Sequence, residues 1–213
     1  MTTDSIQLIP VRVRIGRIRT LLIAVALSFV WAAPAGGGEI SELAITEDEG
    51  EYHVRVLMVL DAPAQPVYQV ITDFENSHRI SPAVTKSELL HPPNDLTVRL
   101  RNYLKYCFVT FCYDLEWVGD IQELPDGYVK VDTVPELSNF EYGSSLWNVH
   151  PLGGRTQVLH ETVMKPDFYV PPLIGALIMK FRFRNEIIAT FNRIESEAQS
   201  VANEAEHDRH ARE

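Results

Sequence analysis

The chain has 213 residues, 46% of them hydrophobic, and a formal net charge of −10. That length and apolar content suffice for one domain with a sizeable core. The acidic balance removes any general attraction to phosphate backbones, so nucleic acid is not an expected partner.

At the amino terminus Arg12, Arg14, Arg17 and Arg19 precede an uncharged apolar run from Leu21 to Ala33, followed by Pro34-Ala35 and three glycines. A basic flank, a short apolar core and a small-x-small exit describe a secretory signal over residues 1–35, cut after Ala35. An uncleaved anchor is the alternative. However, the 13 residues from Leu21 to Ala33 fall short of the roughly 20 that a spanning helix needs, and Pro34 with the glycines stops any extension. Cleavage would remove four arginines and Asp4, leaving the mature chain at −13. The expected location is periplasmic or extracellular.

Residues 36–50 read as a polar lead-in with a short strand at Leu43-Ala44-Ile45. From Tyr52 to Leu60 the pattern is strand-like, with Tyr52, Val54, Val56, Met58 and Leu60 on one face. Asp61 then reads as a helix cap with Pro63 in the first turn. Val67, Val70, Ile71 and Phe74 follow at helical spacing, and a short helix or turn is expected at Ser77–Ile80 before Pro82.

Between Thr85 and Met164 six β-rich runs alternate with turn signals: 87–91, 96–103, 108–118, 128–134, 140–149 and 156–164. The breaks at Pro92-Pro93-Asn94-Asp95, Pro125-Asp126-Gly127 and Pro151-Leu152-Gly153-Gly154 each carry turn chemistry. Six strands with short connections predict an antiparallel meander. Pro171-Pro172 opens a last helix that runs to about residue 200. Its front, Leu173 to Phe183, is apolar almost all round. Its rear is an ordinary amphipathic helix with Ile187, Ile188, Phe191, Ile194 and Ala198 on one stripe. Residues 201–213 read as a charged, flexible tail.

The order is therefore β-α-α-β(6)-α, an α+β domain over residues 51–200, with a curved antiparallel sheet wrapped around a long C-terminal helix. A meander this long curls because strands twist. A helix crossing the concave face would close it on one side and leave a hollow beneath.

The stretch from Ala62 to Asn76, APAQPVYQVITDFEN, resembles the helix-opening signature of the START-like (helix-grip) superfamily of polyketide cyclases and lipid-transfer domains. Arg79-Ile80-Ser81-Pro82-Ala83-Val84 with Ser87-Glu88-Leu89 is most similar to the coenzyme-Q-binding START-type branch. Pro166-Asp167-Phe168-Tyr169-Val170-Pro171-Pro172-Leu173-Ile174-Gly175 is similar to exported bacterial members. The resemblance covers residues 40–200 and implies a hydrophobic tunnel for a lipid, quinone or polycyclic molecule. It carries over no catalytic residue, and no cofactor or metal is expected.

Cys107 and Cys112 are separated by five positions, which on a straight strand would point them to opposite faces. A disulfide requires the chain to turn between them, as at a hairpin. The alternative is a pair of buried free thiols. Acid/base chemistry would need a cavity-facing carboxylate or histidine, and the strand candidates are Glu116, Asp132, His160 and Glu161. The faces of the 156–164 run are too mixed to orient His160. Tyr142, Trp147 and Phe168, near the mouth expected between loop and helix, are the aromatic ligand-contact candidates. Leu177 and Phe181, stacked four apart, are candidates for a cavity wall or a gate that touches a membrane.

The expected function is an exported carrier of a hydrophobic small molecule or lipid, with transient membrane contact. The alternatives are a cyclase- or hydratase-type enzyme on a polyketide-like substrate, or a membrane-assembly interaction module whose cavity is filled by its own side chains.

Overall fold

The computed structural model describes residues 38–92, 94–108, 111–170 and 175–212. The signal expected over residues 1–35, the expected helix start at Pro171-Pro172, Leu173 and Ile174 lie outside the described residues. In chain order the structure has β1 (Glu39–Asp48), β2 (Glu51–Leu60), α1 (Ala64–Thr72), α2 (Ser77–Ile80), β3 (Val84–Leu90) and β4 (Val98–Phe108). Then follow β5 (Phe111–Leu124), β6 (Tyr128–Thr133), β7 (Phe140–Leu152), β8 (Arg155–Pro166) and α3 (Gly175–His210). The strands form one sheet in the order β1-β2-β8-β7-β6-β5-β4-β3, antiparallel throughout. This is the helix-grip α+β architecture.

Alternation along β2 decides which way the sheet faces. Tyr52, Val54, Val56, Met58 and Leu60 are all buried, and residues opposite one another in register share a face. Val56 pairs with His160 and Val54 with Thr162, so the even-numbered residues of β8 point inward with them. In β7 the register shifts between Phe140 and Tyr142. That bulge moves one residue out of phase, so that Phe140 is inward and the inward set resumes at Gly143, Ser145, Trp147 and Val149.

The main core is built where α1 and the rear of α3 lie on the concave face. Val56, Leu60, Val67, Val158, Phe191 and Ile194 are at most 1% exposed. A buried hydrogen bond from Thr156 Oγ1 to the Ala62 carbonyl (2.6 Å) fixes the turn into α1 against β8.

Three expectations change. Residues 36–50 are not a loose lead-in, because Glu39–Asp48 is a full strand paired to β2. Glu49 and Gly50, both at positive φ, make the two-residue turn whose twist suits a hairpin. Asp61 is not the cap of α1; that position is held by Pro63. Residues 201–210 are not a frayed tail but continue α3 to His210. They carry alanines and glutamates, which favour helix, with His207, Arg209 and His210 in the last turn, where cations complement the helix dipole. Among the described residues no helix is long and apolar enough to cross a membrane.

Side-chain hydrogen bonds attach α3 to its surroundings from its middle onward. Glu186 accepts from Ser81 Oγ (2.8 Å) and the Ala83 amide (2.9 Å). Glu195 accepts from the Gly38 amide (2.9 Å) and the Asp61 amide (3.3 Å). Glu197 takes Arg79, and Gln199 donates to the Asp61 carbonyl (2.8 Å). Among the described residues, none of these attachments involves 175–185.

Candidate functional site

A cavity of about 330 Å³ lies between the concave sheet face and α3. Its floor is apolar on β4, β5 and β6, with Leu100, Leu104, Trp117, Ile121, Val129 and Val131. Its roof is Phe183, Ile187 and Phe191, with Glu186 and Thr190 beside them. Phe74, Ser77, Ile80 and Ser81, in and around α2, close one side. The hollow persists because the twisted sheet curves away faster than one helix can follow.

Trp147 lines this cavity. Its ring stacks on His160 with centroids 3.9 Å apart and planes at 21°, and it leans on Phe191 at 5.9 Å. His160 also lines the cavity, so the surface it keeps faces inward. Burial lowers its pKa from 6.5 to about 4, because an imidazolium there would lose its water without gaining a counter-charge. Tyr106 lines the cavity near Glu186. Burial pushes its phenol well above the usual range, the Glu186 carboxylate adds to this, and Arg182 opposes it.

The other ligand-contact candidates sit elsewhere. Tyr142 is 37% exposed and does not line the cavity; five positions from the inward Trp147, it points to the other face. Leu177 and Phe181 are not a cavity wall, being 73% and 62% exposed. The buried residues are Met179 and Phe183, and positions two apart on a helix face nearly opposite ways. Phe168 stands behind the wall, against Phe140 at 6.0 Å and Tyr113 at 5.7 Å.

Of the acid/base candidates, only His160 faces the cavity. Glu116 is exposed beside Arg101 at 3.7 Å. Asp132 takes Lys130 (2.6 Å) and Ser144 Oγ (2.9 Å), and Glu161 pairs with Arg55; neither lines the cavity. Cys107 and Cys112 are register partners across the β4–β5 hairpin, Cα atoms 4.0 Å apart, and their sulfurs are bonded.

Sequence reasoning missed Asn102, Tyr106 and Glu186. Asn102 and Tyr106 share parity with Leu100 and Leu104, and that pairing of polar with apolar positions on one strand face was the available signal. Glu186 stands where the apolar front of α3 gives way to its amphipathic rear.

The Zhui aromatase/cyclase from a Streptomyces species superposes with a TM-score of 0.59 at 17% identity, over 70% of this chain and 94% of that one. A START superfamily protein from Mycobacterium smegmatis gives 0.54 at 15%, over 68% and 97%. A STAR-related lipid transfer protein from Xanthomonas axonopodis gives 0.53 at 16%, over 74% and 98%. At these identities the likeness is one of fold. A search of curated sequences gives no match. The family model described as polyketide cyclase/dehydrase and lipid transport matches residues 60–187. Spanning more than half of its length, that match makes the chain a member of the polyketide cyclase/dehydrase and lipid transport family.

Proposed function

We propose that this chain is an exported carrier that holds a hydrophobic small molecule between its sheet and α3. The observation that carries the reading is the cavity: about 330 Å³ left open under the helix, walled mainly by apolar and aromatic side chains. Apolar surface moved from water into it gains about 25 cal/mol per Å², which is what a molecule crossing an aqueous compartment needs. The export component rests on the basic and apolar pattern of residues 1–35. The lipid transfer protein of like fold supports binding, and the Arg79–Val84 resemblance keeps a quinone among the ligands. The interaction-module alternative required a filled cavity, which is not what the fold has.

Loading at an anionic lipid surface belongs to the same proposal. Tyr169, Leu177 and Phe181 are exposed, and the sequence from Phe168 to Asn185 holds Lys180, Arg182 and Arg184 with no acid, in a chain of net −10. Exposed apolar side chains among cations match the acyl and phosphate layers of such a surface.

The aromatase/cyclase of like fold supports a second reading through His160, the histidine facing the cavity. A base whose conjugate acid has a pKa of about 4 is weak at neutral pH, so binding is favoured over proton transfer. Native mass spectrometry and lipid extraction of the purified chain test the carrier reading. A bound lipophile is expected. Reproducibly empty protein that takes up no quinone, phospholipid or fatty acid would overturn it.

A further inference from the structure

The polar lining of the cavity is sparse and of one sign. Among the described residues that line it there is no lysine or arginine, and the carboxylate present is Glu186. Glu186 is fixed by its bonds from Ser81 and Ala83. Arg182 lies close enough to act electrostatically on Tyr106, yet it is outside the lining. An anionic ligand would therefore give up its hydration, find no cation in the lining and meet a held negative group. Burial of an unpaired charge is among the most unfavourable events in a protein interior.

A second observation points to what the cavity does accept. Asn102 lines it, is 8% exposed, and has a buried Oδ1 with no hydrogen-bond partner. The indole opposite it in register, Trp117, already donates its Nε1–H to Thr133 Oγ1 at 3.0 Å and cannot serve. The oxygen is shielded as it stands, and a half-turn of the terminal amide presents it to the hollow. The His160 side chain makes no hydrogen bond among the described residues, and as a neutral imidazole offers one donor and one acceptor.

Building on the carrier reading, we infer that the ligand is a neutral lipophile bearing a hydroxyl donor, such as a phenol, a quinol or an alcohol on an apolar body, and not a fatty acid, phospholipid or other anion. The hydroxyl hydrogen meets Asn102 Oδ1, and the apolar body lies along Leu100, Trp117 and Trp147. A volume of about 330 Å³ is near the lower end of small-molecule sites, about 300–1,000 Å³, and suits a fused ring or a single chain. A quinone carries acceptors only and so leaves the Asn102 oxygen unmet, although it can take the amide hydrogens; its reduced quinol can meet the oxygen.

Calorimetric titration of the full chain with three probes of one body tests this: 2-naphthol, 2-methoxynaphthalene and 2-naphthoate at neutral pH. The naphthol should bind about tenfold tighter than the methoxy compound, the usual scale of one buried hydrogen bond, and the naphthoate weakest of all. Asn102→Leu should bring the naphthol down to the methoxy compound while leaving the latter unchanged, which also shows the fold intact. Glu186→Gln should raise naphthoate affinity several-fold. Naphthoate binding as tightly as naphthol, or an Asn102→Leu variant that keeps the wild-type ratio, overturns the inference. If no probe binds, lipid extraction decides. A neutral hydroxylated species supports the inference, an anionic lipid overturns it while leaving the carrier reading standing, and empty protein removes both.

Discussion

Replacing His160 with phenylalanine keeps a flat ring against Trp147 and removes the titrating group. In the fold His160 has a pKa of about 4, against 6.5 for a free imidazole. Between those values the unfolded chain binds a proton that the folded chain refuses. Its contribution to stability is therefore complete above pH 6.5, falls as the pH drops from 6.5 towards 4, and stays lost below. At about 1.4 kcal/mol per pH unit, the gap amounts to about 3 kcal/mol, most of it gone by about pH 4.5. Urea unfolding of the wild type and His160→Phe across pH 7.5 to 4.5 reads the effect as a difference of slopes. The carboxylates titrate in both proteins and cancel in the comparison. The wild type should lose about 2–3 kcal/mol more than the variant over that range. Parallel stability curves, or an NMR titration of His160 with a midpoint near 6.5, would refute the reasoning.

The native chain should show no free thiol without reductant and two after unfolding with it, and the Cys107→Ser, Cys112→Ser double variant should lose about 2 kcal/mol in denaturant titrations, the scale for so short a closed loop. Gly119→Ala places a Cβ 2.4 Å from the Trp117 ring. It should shift the indole off Thr133 and cost about 1–3 kcal/mol, seen as a lower Tm; an unchanged Tm would show that the ring yields freely. Leu177→Asp with Phe181→Asp should leave stability within about 0.5 kcal/mol, as both are exposed. That pair should also abolish co-sedimentation with phosphatidylglycerol-containing vesicles, and retained vesicle binding would remove the front of α3 as the contact.

Much of the architecture is legible in the sequence because period and punctuation agree. The inward face of β2 and the rear stripe of α3 follow from spacing alone, and the Pro- and Gly-rich breaks mark the meander. What was not legible depends on non-local pairing. The β8 residues have no clean apolar face by themselves, and His160 is oriented only by its register with Val56 on a strand about a hundred residues away. Tyr142 and Trp147, five apart, take opposite faces by alternation alone, but Phe140 shares the face of Trp147 only through a bulge that leaves no composition signal. The front of α3 is apolar almost all round, so its pattern does not distinguish Leu177 and Phe181 from Met179 and Phe183. Asn102 went unnoticed for the opposite reason: one polar residue in an apolar row reads as an exception until the hollow beneath it is seen.

The uneven attachment of α3 makes that helix a cantilever. From Glu186 onward it is pinned to α2, β1 and the β2–α1 turn, whereas residues 175–185 rest on the apolar seating of Met179 and Phe183. Unseating two such side chains costs about 3–6 kcal/mol, within reach of thermal fluctuation on slow timescales. Lifting the pinned end would in addition strip these carboxylate and amide hydrogen bonds, of which those of Glu186 are part-buried. A guest too large for the resting volume would therefore lift residues 175–185, where Leu177 and Phe181 already face outward, before the rest of the helix, and the pinned half would act as the fulcrum.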